Sequence, residues 1–179
     1  MDIKLAVIGK GVVGKSTLTY RFIKYDIPEG HEATIEDRYK TNLTIDNKNY
    51  CIEILDTAGE DDYQQMMDMW ISFGEGFLLV FAVDDRESFE LLSKKRERIL
   101  KGKHGQSTPM VLVGNKIDLA NKRKVTTEEA KKLAESWGID YIETSAKNNL
   151  NCKEAFEKLA RIIALIKSNQ KKPCCCSIY

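Results

Sequence analysis

The amino-acid sequence predicts an α/β fold in which a mostly parallel sheet carries helices on both faces. Three observations support this prediction. An apolar run at residues 5–8 precedes a glycine-rich turn and then a segment with helical spacing. One hairpin of alternating polar and apolar residues follows, and from residue 77 strand-like and helix-like segments alternate. A chain of 179 residues can form such a fold as one domain, burying about 70 % of its unfolded surface.

The predicted elements follow the periodicity along the chain. After the first strand and helix, residues 25–34 form a polar loop, and residues 38–45 and 50–55 pair around a turn at 46–49. A capping pattern, Thr-Thr-Glu-Glu, begins the helix at residue 126. The apolar face of the last helix fits core packing better than partner binding. The remaining predicted strands lie at 77–83, 110–113 and 140–143, and the later helices at 86–100, 126–137 and 152–167.

Composition is that of a soluble globular protein, with 42 % hydrophobic and 31 % charged residues and a net charge of +1. Residues 161–179 carry four bases and no acid, which leaves 24 bases against 27 acids elsewhere. This distribution argues against general nucleic-acid binding and fits a tail that meets an anionic membrane surface. The absence of a signal sequence and of a disulfide framework among five cysteines indicates a cytosolic, reduced chain.

Residues 9–16 have the spacing Gly-x4-Gly-Lys-Ser of a phosphate-binding P-loop. Backbone N–H groups in such a turn form an anion site, and the following helix N-terminus adds partial positive charge. Lys15 would contact the outer phosphates and the Ser16 hydroxyl would bind Mg²⁺. The alternative, a glycine-rich turn that binds nothing, is disfavoured by the strand before and the helix after this turn.

Polar residues follow two further predicted strands. Asp56 could hold Mg²⁺ through water, and Gly59 could donate its N–H to a terminal phosphate. Asp118, in the pattern Asn-Lys-x-Asp, could accept the N1–H and N2 amino protons of guanine together, whereas adenine would leave this carboxylate unpaired. Asn115 would brace the loops and the Lys116 stem would pack over the base; the alternative is an ordinary polar loop.

After the next predicted strand, the Ala146 N–H could donate to guanine O6, and Ser145 could buttress Asp118. Together the motifs resemble those of the Ras family of small GTPases over nearly the whole chain. The resemblance implies a three-layer P-loop NTPase G domain at residues 1–167, with a six-stranded, mostly parallel sheet, one antiparallel strand and five helices. A flexible, basic, Cys-rich tail would occupy residues 168–179.

The resemblance further implies GTP and GDP binding with Mg²⁺, slow GTP hydrolysis, and two segments that order around the γ-phosphate; Ras proteins are the reference case for this chemistry. It implies catalytic roles for Glu60, Lys15, Thr34 and Gly59. The implied metal ligands are Ser16, Thr34 and, through water, Asp56. The implied nucleotide-binding residues are Gly11, Val12, Val13, Gly14, Lys15, Ser16, Thr17, Ile27, Thr34, Gly59, Asn115, Lys116, Asp118, Ser145, Ala146 and Lys147.

The same resemblance implies protein partners: an exchange factor, a GTPase-activating protein, and effectors that extend the sheet at one edge. No arginine precedes Thr34 in its loop, so an arginine for hydrolysis would come in trans from the activating protein. Arg21 and Arg38 belong by pattern to a helix and a strand. The implied effector edge comprises His31, Glu32, Ala33, Thr34, Ile35, Glu36, Asp37, Arg38 and Tyr39.

Three departures from the family pattern bear on function. Glu60 replaces a water-orienting glutamine, and it could weaken hydrolysis or act as a base, which leaves open a GTP-binding module with little turnover. Val12 replaces a glycine, which is tolerable at negative φ and strained at positive φ. Ile27 and His31 replace aromatic residues that cover the nucleotide, which predicts faster nucleotide release.

The C-terminus, Cys176-Ser-Ile-Tyr, resembles a C-a-a-X box for prenylation of Cys176. Cys174 and Cys175 are candidate palmitoylation sites, because one lipid alone anchors a protein only marginally. The expected location is the cytoplasmic face of a membrane, with the plasma membrane favoured. A three-cysteine metal clip is the rival interpretation, but it lacks a fourth ligand. A P-loop kinase or ATPase of another class is the rival for the whole chain, and Asp118 argues against it.

Overall fold

The computed structural model describes residues 2–23, 36–57, 59 and 64–170. In these parts of the chain, strands and helices alternate after one hairpin, which confirms the predicted α/β fold. In chain order the elements are β1 (Asp2–Gly9), α1 (Lys15–Ile23), β2 (Glu36–Ile45), β3 (Lys48–Thr57), α2 (Gln64–Phe73), β4 (Gly76–Ala82), α3 (Arg86–Gly102), β5 (Met110–Asn115), a 3₁₀ helix (Ile117–Lys122), α4 (Thr127–Trp137), β6 (Asp140–Glu143) and α5 (Cys152–Gln170).

The six strands form one sheet in the order β2-β3-β1-β4-β5-β6. Among the strands of the described residues, only the β2–β3 pair is antiparallel. Its turn at Asp46 and Asn47 has positive φ at both residues, as a tight hairpin with a right-handed twist requires. The other neighbouring strands are parallel. Their carboxyl ends therefore lie along one edge of the sheet, where ligands bind in folds of this kind.

Each face of the sheet is covered by helices, so alternate strand residues pack into two separate cores. Leu5 and Val7 of β1 belong to the core under α1 and α5, whereas Ala6 and Ile8 belong to the core under α2, α3 and α4. Phe156 of α5 is fully buried in the first of these cores. The apolar face of α5 therefore packs inward, as predicted.

The described residues form the five α-helices that the resemblance implies and, in addition, the 3₁₀ helix. Periodicity alone predicts four of the five and does not indicate α2, although Met67, Trp70 and Ile71 lie at helical spacing and are buried. Helix α5 continues three residues beyond its predicted end, to Gln170. The predicted cap of α4 is confirmed, because the Thr126 hydroxyl accepts a hydrogen bond from the Glu129 N–H. Among the described residues, no helix combines the length and the apolar composition that a bilayer-spanning segment needs.

Candidate nucleotide-binding site

The loop between β1 and α1 needs glycine at two positions because other groups approach its backbone closely. A Cβ on Gly9 would lie 2.3 Å from the carbonyl oxygen of Val80 in β4. Gly14 has φ +92°, and a Cβ there would lie 2.6 Å from Nδ2 of Asn115. The loop is thus held against two other strands, and the N-terminus of α1 opens at the carboxyl edge of the sheet.

Lys15 is buried at the start of α1, with 6 % of the residue exposed. Its Nζ donates a hydrogen bond to the carbonyl oxygen of Lys10 at 2.9 Å. Burial lowers the pKa of Lys15 to about 8, while the charge of Asp56 raises this pKa and that of Lys95 lowers it further. A phosphate group beside this ammonium would favour its charged form, so binding of an anion and retention of the proton support each other.

Ser16 and Asp56 provide two buried oxygen donors close to the loop, and Asp56 is fully buried. Mg²⁺ prefers hard oxygen ligands and in phosphate sites takes few of them from protein, because phosphates and waters complete its shell. Within the described residues no group of three or more His, Cys, Asp or Glu residues gathers as a metal cage. The Ser16 hydroxyl and the Asp56 carboxylate are oxygen donors of the kind that Mg²⁺ prefers.

Gly59 lies directly against the loop. The Gly11 N–H donates to the Gly59 carbonyl oxygen at 3.1 Å, and a Cβ on Gly59 would lie only 2.0 Å from the Gly11 nitrogen. By contrast, a Cβ on Gly11 would meet no atom within 4 Å, so Gly11 faces open space. The two glycines that the sequence assigned to the phosphates are thus neighbours in the fold.

Asn115, at the end of β5, connects the phosphate loop to the next strand end. Its Nδ2 donates to the Val13 carbonyl oxygen at 2.9 Å. Its Oδ1 accepts from the Thr144 hydroxyl and from the Ala146 N–H, both at 3.1 Å. The bracing role predicted for Asn115 is visible in these contacts. Because the Ala146 N–H already has this acceptor, a guanine O6 would have to share it.

Asp118 and Ser145 meet as predicted, since the Ser145 hydroxyl donates to Oδ1 of Asp118 at 2.6 Å. Lys116 has φ +66°, which turns the chain between β5 and the 3₁₀ helix. A cleft of about 440 Å³ opens between these residues and the helix α1, a size typical of small-molecule sites. It is lined by Gly14, Thr17, Arg21, Asn115, Lys116, Asp118, Leu119, Ala146 and Lys147.

The sequence correctly predicts that Arg21 lies in a helix, but it does not indicate that Arg21 lines the cleft. Its Nε donates to the Ala146 carbonyl oxygen at 2.9 Å and its Nη2 to that of Lys147 at 3.3 Å. Helix α1 therefore holds the turn after β6 in place. The available signal was spacing, because Arg21 lies four residues after Thr17 and so shares its helix face.

Four residues of the predicted effector edge lie in the described ranges, on β2 at the end of the sheet. Glu36 accepts from Trp70 Nε1 at 3.0 Å and from two nitrogens of Arg38, at 3.0 and 2.9 Å. The Tyr39 hydroxyl donates to that of Tyr20, and burial raises the Tyr39 pKa. The other predicted site residues Ile27, His31, Glu32, Ala33, Thr34, Ile35, Glu60, Cys174, Cys175 and Cys176 lie outside the described residues.

Comparisons with known proteins agree with this geometry. A family model described as "Ras family" matches residues 4–165. The chain is 44 % identical over 172 residues to Ras-like protein rasB of Dictyostelium discoideum, covering 96 % of this chain and 86 % of the relative. It is 46 % identical over 162 residues to Protein ras-1 of Neurospora crassa, covering 90 % of this chain and 76 % of the relative.

Proposed function

The chain belongs to the Ras family, and from that premise we propose that it is a membrane-associated switch that recruits effector proteins while GTP is bound. As a member of this family it is a small GTPase that binds guanine nucleotides and hydrolyses GTP in signal transduction. The proposal concerns the recruitment of effectors, the anchoring to a membrane and the rate of GTP hydrolysis.

One observation carries the assignment of the nucleotide to this cleft. Asn115 donates to the Val13 carbonyl oxygen in the phosphate loop. It also accepts from the N–H of Ala146, which lines the same cleft as Asp118. A single buried side chain therefore fixes the distance between the two ends of the site. A ligand that fills both ends must carry a base and a polyphosphate, which describes a nucleotide.

Discrimination between bases would rest on Asp118. Its carboxylate can accept the two adjacent donors of guanine, and the Ser145 hydroxyl holds one of its oxygens in place. Adenine offers no such pair of donors, so its binding would leave this carboxylate unmatched. A penalty of this kind corresponds to a preference of about 10⁴ for the guanine nucleotide.

At the other end of the cleft, Lys15 and the backbone N–H groups of the loop would hold the phosphates. Ser16 and Asp56 would hold Mg²⁺, which when bound neutralises part of the phosphate charge. Thr34 is proposed as the residue that senses the γ-phosphate, together with Gly59. Their contacts would order the effector edge in the GTP state and release it in the GDP state.

Hydrolysis would depend on Glu60 and on an activating protein. A carboxylate can accept a hydrogen bond from the attacking water but cannot donate one to the phosphate, as a glutamine can. The second candidate function, a GTP-binding module with little turnover, follows from this same substitution. An activating protein that supplies an arginine would raise the rate by about 10³ to 10⁵.

The experiment combines nucleotide identification with single-turnover phosphate release. Denaturing the purified protein should release GDP or GTP, and recovery of an adenine nucleotide would refute the assignment. Phosphate release from bound GTP should differ between wild type and Glu60→Gln. Glu154→Gln, the same change on the exposed face of α5, is the matched control and should leave the rate unchanged. Equal rates of phosphate release in all three proteins would show that Glu60 has no role in hydrolysis.

Membrane association is proposed through the C-terminal segment. Cys176 would carry a prenyl group, with Cys174 and Cys175 as sites for a second lipid. Tyr179 is not a usual last residue for such a box, so the type of prenyl group would be identified from the mass of the modification. A mass spectrum of natively expressed protein should show the lipid on wild type and lose it in Cys176→Ser. An unmodified mass for wild type would refute anchoring by this route.

A further inference from the structure

The side chain of Lys10 leaves the start of the phosphate loop and reaches the beginning of α3. Its Nζ lies 3.2 Å from Oδ2 of Asp85 and 2.5 Å from Oε2 of Glu87. One ammonium group therefore bridges two carboxylates that are 75 and 77 residues away in sequence. We call these three side chains the ionic strap.

The far end of the strap is fixed to the core of the protein. Asp85 is the N-cap of α3 and accepts a hydrogen bond from the Ser88 N–H through its other carboxylate oxygen. The buried Ser88 hydroxyl donates to the Asp85 carbonyl at 2.6 Å and accepts from the Ala82 N–H at 3.1 Å. Asp85 is thus attached to the junction between β4 and α3, and Glu87 lies beside it in the first turn of α3.

The near end of the strap acts on the phosphate-binding lysine. The carbonyl oxygen of Lys10, the residue whose side chain is strapped, accepts the hydrogen bond from Lys15 Nζ at 2.9 Å. The same carbonyl group packs against Gly59, where a Cβ would lie 2.4 Å from the Lys10 carbonyl carbon. A shift of the Lys10 backbone would therefore move both groups that the phosphates require.

We propose that Lys10 is a positioning residue for phosphate binding, because its ionic strap to Asp85 and Glu87 fixes the carbonyl that orients Lys15. This inference rests on the proposed function, in which Lys15 contacts the outer phosphates. It predicts that loss of the strap weakens contacts to those phosphates and leaves contacts to the base and the first phosphate intact.

A merely structural role makes a different prediction. Ion pairs with this degree of exposure contribute little to the free energy of unfolding. If the strap only stabilised the fold, its loss would affect all nucleotides equally. The ratio of the affinities for GDP and GMP separates the two cases, because GMP lacks the outer phosphates that Lys15 would contact.

The test measures dissociation constants of GDP and GMP for wild type, Lys10→Met, Lys10→Arg and Glu87→Gln. Lys10→Met should weaken the affinity for GDP about fivefold and change the affinity for GMP less than twofold. Lys10→Arg, which keeps the charge, should restore most of the GDP affinity. Lys153→Met is the matched control, since Lys153 also pairs with a glutamate, Glu157, on the distant helix α5. It should change neither affinity.

Glu87→Gln removes the negative charge of the shorter contact from an exposed position, so it tests the strap even if Lys10→Met fails to fold. The double variant Lys10→Met with Glu87→Gln should bind GDP no more weakly than Lys10→Met, because Lys10→Met already removes the ion pair that Glu87→Gln alters. Unchanged GDP affinity in Lys10→Met and Glu87→Gln, or equal losses for GDP and GMP, would overturn the inference. A wild type that binds no GDP would instead refute the proposed function itself.

Discussion

Val12 lies in the phosphate loop with φ +63°, in the left-handed region that a β-branched residue rarely adopts. The residue is 89 % exposed, so nearly no apolar contact compensates for the strained backbone. The sequence left two outcomes open for this position, and the structure selects the strained one. We therefore expect Val12→Gly to stabilise the folded protein.

The magnitude follows from two opposing terms. The left-handed conformation costs an L-residue about 1–2 kcal/mol, and β-branching places valine at the upper end. Glycine removes this strain but makes the unfolded chain more flexible, which costs about 0.5–1 kcal/mol. Loss of the exposed side chain adds almost nothing, because it buries little surface. The net expectation is a gain of about 1 kcal/mol.

Urea unfolding measures this gain, with the nucleotide concentration held constant because bound ligand shifts apparent stability. The midpoint should rise in Val12→Gly with an unchanged slope. Gln106→Gly is the control, since Gln106 is also an exposed loop residue but lacks positive φ. This change should lower the free energy of unfolding. Similar destabilisation in both variants would refute the argument from strain.

Two further predictions concern the buried residues of the site. The folded pKa of Lys15, about 8, lies below its ordinary value of 10.5, so the folded protein binds this proton less tightly than the unfolded chain. The unfolding free energy of nucleotide-free wild type should therefore rise relative to that of Lys15→Met between pH 8 and 10.5, by about 3 kcal/mol. Parallel pH profiles would contradict this. Asn115→Ala removes three buried hydrogen bonds and should cost about 3–5 kcal/mol in urea unfolding, together with a loss of GDP affinity. A cost below about 1 kcal/mol would show that the loops do not depend on Asn115.

The sequence by itself determined the features that depend on local chemistry. The glycine spacing before Lys15 marked the phosphate loop because a tight turn and a close backbone approach each require glycine at a fixed offset. Strand ends were found because apolar runs stop where the chain leaves the sheet. Parallel strands end at one edge, so the sequence alone assigns Asp56 and Asn115 to one site.

The tertiary structure decided what depends on residues far apart in the chain. Periodicity tells which face of a helix is buried but not what it meets, so the bonds from Arg21 to the turn after β6 were not predicted. The contact of Lys10 with Glu87 spans 77 residues and has no local pattern. The lowered pKa of Lys15 could not be predicted from the sequence either, because it depends on how completely other elements exclude water from the amine. Sequence patterns record local backbone requirements, whereas burial and pairing arise only when separate elements pack.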